Sequence, residues 1–291
     1  MLENDELKKE WDSIPEGKAD IETRKAFKAF CEETGGIGNP ARPRQVSRTV
    51  LSIAAAILFP VLVVGVAFLK KEQPVPSFCE FRVPVGQNDS LTLPDGSRIW
   101  LNAGSAIIYP ESFTGKSRQV FLSGEGYFSI ARDEKHPFIL KAGNMSVEVL
   151  GTEFNVSSYG DMQSSSVALI KGSVRMRVEH DGVISESLMK PGEKICYDKV
   201  TGHLTRDNVY AEASCAWRKG GFCFSNQPLS DIVAQFERAF SVRIDVASKD
   251  LLKTRFSMAF VNNESLDSML KAIADIGRMR LVHRDDIYII E

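Results

Sequence analysis

A threonine hydroxyl set directly beside a glycine carbonyl is the most suggestive chemical grouping in this 291-residue sequence. Gly151-Thr152, within VLGTEF, leaves the carbonyl unobstructed by any side chain on the glycine. Such a pair supports an N-to-O acyl shift: the Thr152 hydroxyl attacks the Gly151 carbonyl, and water then opens the ester. No base for that step is evident in the sequence, and a Gly-Thr that simply begins a strand is the more common arrangement. A second grouping is acidic. Glu125, Asp133, Glu134 and Glu153 fall on turns or strand ends, and paired carboxylates in an all-β domain could hydrolyse envelope carbohydrate. Their spacing gives no reason to pair them, and Glu125, in SGEGYF, reads instead as a turn or hydrogen-bonding residue. The four histidines, His136, His180, His203 and His283, are scattered, and no HExxH, P-loop or nucleophile-elbow motif occurs. Cys31, Cys79, Cys196, Cys215 and Cys223 include no C-x-x-C pair and no zinc spacing, so no metal or cofactor is expected; a Cys215–Cys223 bridge is conceivable in an oxidising setting. Lys plus Arg number 36 against 38 Asp plus Glu, a balance that argues against direct nucleic-acid binding.

The elements that would position these residues follow from one apolar run. Residues 50–69, VLSIAAAILFPVLVVGVAFL, hold twenty residues without a charge, enough at about 1.5 Å per residue to span a hydrocarbon core of about 30 Å. The run predicts one transmembrane helix, kinked at Pro60. It starts too late and runs too long for a cleavable leader. Arg42, Arg44 and Arg48 on one flank against Lys70 and Lys71 on the other favour a cytoplasmic N-terminus, hence an inner-membrane protein with a periplasmic C-terminus. Residues 1–49 carry too few large apolar groups to fold alone. Asp20 could cap a helix through IETRKAFKAFCEE whose Phe27 and Phe30 share a stripe, with Trp11 on a preceding short helix, a pattern suited to docking in a partner's groove.

After a Pro-containing linker, 70–82, residues 83–200 show short alternating runs separated by turn residues, predicting an all-β domain, either a sandwich or a β-solenoid. In SLTLPDGSRIWLN, Leu91 and Leu93 alternate, Pro94-Asp95-Gly96 turns, and Ile99 and Leu101 resume one face, which describes a hairpin. RQVFLSG, GYFSIA, PFILKA, MSVEVLG, EFNVSSY, SSVALIKG and SVRMRVE read as further strands. From Trp217 to the C-terminus the period changes. Two strand–helix–strand units follow, the helices turning Leu229, Ile232, Val233, Phe236 and Phe240, then Leu266, Met269, Leu270 and Ile273, inward. Residues 217–291 should form an α+β domain with two helices on one face of a small sheet.

The order of LPDGSRIWLNAGS, FLSGEGYFSIARDEKHPF, VLGTEFNVSSY, KGSVRM and KPGEK resembles that of FecR-type sigma-factor regulators. The C-terminal layout, with Phe224, Asn226, Pro228 and Leu229 in the phrase F-x-N-x-P-L, resembles the domain attached to many such proteins and the short N-terminal domain of secretins and TonB-dependent receptors. The resemblance implies an anti-sigma factor. Its arm, through Trp11, Phe27 and Phe30, would bind an extracytoplasmic-function sigma factor, and its periplasmic part would receive a signal from an outer-membrane TonB-dependent transducer. It also implies self-cleavage at Gly151-Thr152 and release of the arm by an intramembrane protease. The alternatives from other classes are a membrane-anchored periplasmic enzyme and a structural envelope protein.

Overall fold

The computed structural model describes residues 77–210, 213–284 and 287–291. These lie in one compact unit, within which a β-region precedes a smaller α+β region.

The β-region comprises β1 (Phe78–Arg82), β2 (Asp89–Thr92), β3 (Arg98–Leu101), β4 (Ala106–Pro110), β5 (Arg118–Ser129), β6 (Phe138–Ala142) and β7 (Met145–Val149). It continues through β8 (Glu153–Ser158), β9 (Ser164–Lys171), β10 (Val174–His180), β11 (Val183–Met189), β12 (Glu193–Asp198) and β13 (Leu204–Asn208). The expected hairpin forms between β2 and β3: Leu91 faces Ile99, and the Leu93 N–H donates to the Ser97 carbonyl across the turn. RQVFLSG and GYFSIA, by contrast, are a single 12-residue strand, β5. Its first half pairs with β4 and, in parallel, with β6; its second half pairs with β3 and β8.

Glycine lets the strand pass between the two halves. Gly124 has φ +111°, and a Cβ there would lie 2.7 Å from the Ser105 Cα. All thirteen strands therefore join one mixed sheet, ordered β11-β10-β7-β6-β5-β8-β9-β12-β13, with β1 to β4 branching from β5. This corrects the expectation of a sandwich or a β-solenoid: β5 belongs to both halves, so no two separate sheets exist, and the strands do not repeat a coil. The halves close over one core. Ile107, Leu140, Val147 and Met176 come from one side and Ile99, Phe154, Val167 and Ile195 from the other. Phe128 and Phe154, opposite one another on β5 and β8, stack at 5.1 Å.

The α+β region follows a short 3-10 segment, Ala213–Lys219. It comprises β14 (Phe222–Pro228), α1 (Leu229–Phe240), β15 (Arg243–Val246), α2 (Lys249–Leu252), β16 (Arg255–Phe260), α3 (Leu266–Gly277), β17 (Leu281–Arg284) and β18 (Ile287–Ile290). The two strand–helix units interlock. Their first strands, β14 and β16, pair with each other, while β15, β18 and β17 make a second sheet, so two small sheets replace the single one expected. The phrase F-x-N-x-P-L has a local reason. Phe224 is core, Asn226 takes φ +48° where β14 shifts register against β16, Pro228 precedes α1, and Leu229 opens the helix fully buried. Every inward residue expected of α1 and α3 is buried except Phe240, which is 36% exposed and sits at the rim against Phe222 and Phe236.

The membrane-anchored architecture is also corrected. No helix among the described residues is long and apolar enough to cross a membrane. The longest, α1 and α3, have 12 residues each, about 18 Å of rise, and both present a polar face. The segment 50–69 expected to span lies outside the described residues, as do the arm 1–49 and its Trp11, Phe27 and Phe30. The single-pass, inner-membrane, cytoplasm-to-periplasm topology and the transmembrane relay built on it therefore find no support among the described residues.

Candidate functional site: the buried link between the two regions

The carboxylates weighed for catalysis are each committed elsewhere. Asp133 holds His136 Nδ1 at 2.8 Å, and that bond, with the Lys135 and His136 N–H groups, holds its carboxyl down at about 2. Glu134 pairs with Arg132 at 2.5 Å in the same β5–β6 connection. Glu153 accepts from the Tyr127 hydroxyl at 2.8 Å; burial and that bond push Tyr127 up to about 12. None of these is arranged around a common point with Glu125.

Glu125 is a structural centre. It lies in the second half of β5, 9% exposed, and its carboxylate accepts from Asn102 Nδ2 and Asn155 Nδ2, both at 2.9 Å. The Asn155 side chain, fixed on β8, passes the contact on: its Oδ1 accepts from the Trp217 indole N–H at 3.1 Å. Trp217, in the 3-10 segment, is 8% exposed, and its carbonyl accepts from Asn88 Nδ2. A chain of side chains thus runs from the turn after β3, through the middle of the β-region, to the start of the α+β region.

Two arginines flank it. The Arg218 guanidinium lies over the rings of Trp100 and Tyr127 at 4.3 and 4.0 Å. Arg238, in the last turn of α1, lies 3.8 Å over Tyr159 and pairs with Asp161 at 2.8 Å, while its carbonyl accepts from the Gly86 N–H. The Tyr159 hydroxyl donates to the Ala103 carbonyl and contacts Ser105 Oγ, which accepts the Glu125 N–H. Burial pushes Tyr159 up, so it remains a donor. Beside this link a cleft of about 680 Å³ opens between the outer face of β9, β12 and β13 and the wall formed by β14 and α1; Ser166, Lys194, Thr205 and Arg255 line it.

Burial raises the Glu125 carboxyl, and the Asn155 and Asn102 amides oppose the shift without cancelling it. A raised folded-state value makes the contribution of Glu125 greatest below the ordinary carboxyl range, about pH 4, and loses it as pH rises through the folded value. Glu125→Gln should therefore flatten the fall in stability as pH rises out of the ordinary carboxyl range, about pH 4, toward neutrality. Urea denaturation of both proteins across that range checks this, and parallel wild-type and variant curves would contradict it.

Gly151 and Thr152 connect β7 to β8. A Cβ on Gly151 would lie 2.7 Å from the Arg132 Cα, so close backbone approach requires glycine there. Thr152 is 4% exposed and its hydroxyl donates to the Ser173 carbonyl at 3.0 Å. Cys223 is a free thiol, so the Cys215–Cys223 bridge is not formed. Among the described residues no group of His, Cys, Asp and Glu could hold a metal ion. Sequence reasoning marked Trp217 only as a boundary and missed Asn102, Asn155, Tyr159 and Arg238. A lone tryptophan at a change of period was the one available signal.

The β-region is thus clasped to a small α+β region by amides, an indole and two guanidinium groups. Comparison then gives the family. Residues 80–175 match the family model FecR protein, and residues 221–290 match FecR, C-terminal, so the chain carries the domains of the FecR family. Two crystal structures of a "putative anti-sigma factor" from Parabacteroides distasonis ATCC 8503 are similar, each 29% identical. One has a TM-score of 0.69 and covers 73% of this chain and 98% of its own; the other has 0.70, 74% and 98%. No curated protein matches.

Proposed function

We propose that this protein is an anti-sigma-factor-type regulator that binds an extracytoplasmic-function sigma factor through residues 1–49 and is governed through its β and α+β regions. The observation that carries the reading is the 29% identity, over 73% of this chain and nearly all of the relative, to a protein described as an anti-sigma factor. The sigma-binding contacts are Trp11, Phe27 and Phe30, whose spacing suits a helix laid in a groove. The α+β region, with a build similar to the short N-terminal domain of secretins and TonB-dependent receptors, receives the signalling domain of a TonB-dependent transducer. The buried link through Trp217 is suited to carrying that event into the β-region, because both regions share its hydrogen bonds.

Transcription from the sigma factor's own promoters tests the reading. Deleting the chain should change that transcription several-fold, and full-length protein should restore it; unchanged transcription at every such promoter would contradict it. The same reading places scission at Gly151–Thr152. On a denaturing gel the wild type should then run as two fragments and Thr152→Ala as one, whereas an intact wild type removes the cleavage step.

A further inference from the structure

We propose that the cleft between the β-region and the α+β region is a binding site for a small organic amine, whose ammonium group sits against Asp231. The sequence builds the hollow. Strand register sets Glu125, Ser157, Ser166, Cys196 and Thr205 in one row across β5, β8, β9, β12 and β13, and Ala168 falls beside Lys194 in the next. Apart from Glu125, every side chain in that row is small, so nothing from the floor fills the space beside β14 and α1. The volume, about 680 Å³, lies within the range of small-molecule sites, about 300–1,000 Å³.

Asp231 supplies the charge. It is the third residue of α1, lines the cleft and is 4% exposed. An acid at that position ordinarily reaches back to the N–H of the residue capping the helix. Here the cap is Pro228, which has none. The carboxylate therefore keeps one contact, from the Ser230 hydroxyl to Oδ1 at 3.5 Å, and Oδ2 has no partner among the described residues. The cations whose fields reach it are engaged elsewhere: Arg238 with Asp161, Arg255 with the Asn226 carbonyl, and Lys199 with the Tyr159 and Met162 carbonyls. Burial raises the Asp231 carboxyl, and an ammonium drawn against it would offset that cost. The lining carries four carboxyls, Glu125, Asp198, Asp207 and Asp231, against two basic side chains, Lys194 and Arg255, so it favours a cation over an anion. A metal ion is a poorer fit, since no group of His, Cys, Asp and Glu among the described residues could hold one. An ammonium needs only one carboxylate and neutral acceptors for its three donors. Gln235, one turn along the same face of α1, and Gln227 provide amide oxygens, and Phe222 gives an apolar wall for the carbon chain of the ligand.

Isothermal titration calorimetry of the full-length chain tests the proposal, with cadaverine as the probe and with pentanediol and glutarate as its neutral and anionic counterparts. The wild type should bind the diamine saturably and neither counterpart. Asp231→Asn, which keeps the shape of the side chain, should weaken diamine binding at least about tenfold. Ser166→Leu, which fills the floor and leaves Asp231 in place, should do the same. Asp245→Asn, on β15 outside the cleft, should leave binding unchanged. No saturable binding to folded wild type up to about 10 mM diamine, or equal binding of the diol, would overturn the proposal. So would diamine binding that survives both cleft variants, or binding of glutarate alone, which would mark an anion site.

Discussion

Trp217→Ala should lower the stability of the protein by about 3–5 kcal/mol and split its unfolding into two transitions. The indole is buried between the two regions, and its removal leaves a cavity there together with an Asn155 Oδ1 that has lost its donor. Asn155 would then hold Glu125 less firmly, because one end of its amide is no longer fixed. Trp217→Phe keeps most of the volume and loses only the N–H, and should cost about 1–2 kcal/mol. Far-ultraviolet circular dichroism in urea, with limited proteolysis at intermediate concentrations, separates the outcomes. A single cooperative transition in Trp217→Ala, displaced by under about 1 kcal/mol, would show that the link carries little of the coupling.

Arg118→Ala should be comparably damaging, at about 3–5 kcal/mol, for a different reason. The Arg118 side chain is 4% exposed and lies 2.6 Å from Asp95, in the β2–β3 turn. It also donates to the His136 and Ala131 carbonyls and lies over the Phe138 ring. Removing it strands a carboxylate that is 13% exposed and leaves two carbonyls without a donor. Asp95→Asn should also destabilise, by leaving a buried guanidinium uncompensated. The double variant Asp95→Asn, Arg118→Met should cost less than the sum of the single variants, since no lone charge remains. Equality with the sum would mean that the ion pair is not the source of the effect.

The hairpin about Pro94-Asp95-Gly96 and the inward faces of α1 and α3 were legible because each depends on neighbours in sequence: turn chemistry in the first, a 3.6-residue period in the others. β5 was not. Gly124 and Gly126 interrupt its alternation and read as breaks, yet Gly124 lets the strand run past Ser105 and Gly126 makes room for Phe128 and Leu101, so that one strand serves two halves of a sheet. That role depends on what packs against the glycines, which local pattern does not carry. The second small sheet was missed for a similar reason, since β14 pairs with β16 across two intervening helices and a strand. Of the site, Glu125 drew attention as a carboxylate and was weighed as a hydrogen-bonding residue, but its partners come from the β3–β4 connection and from β8. Asn102 and Asn155 look like ordinary turn or strand residues, and Arg238 like a solvated helix charge, until Tyr159 and Glu125 are brought beside them.

Direct binding is the most immediate test of the regulatory reading. Full-length protein should be captured with each extracytoplasmic-function sigma factor of the source genome, beside a variant carrying Trp11→Ala, Phe27→Ala and Phe30→Ala. Retention of one sigma factor by the wild type and its loss in the variant is the result expected. Retention of none by intact, folded protein would contradict the central claim.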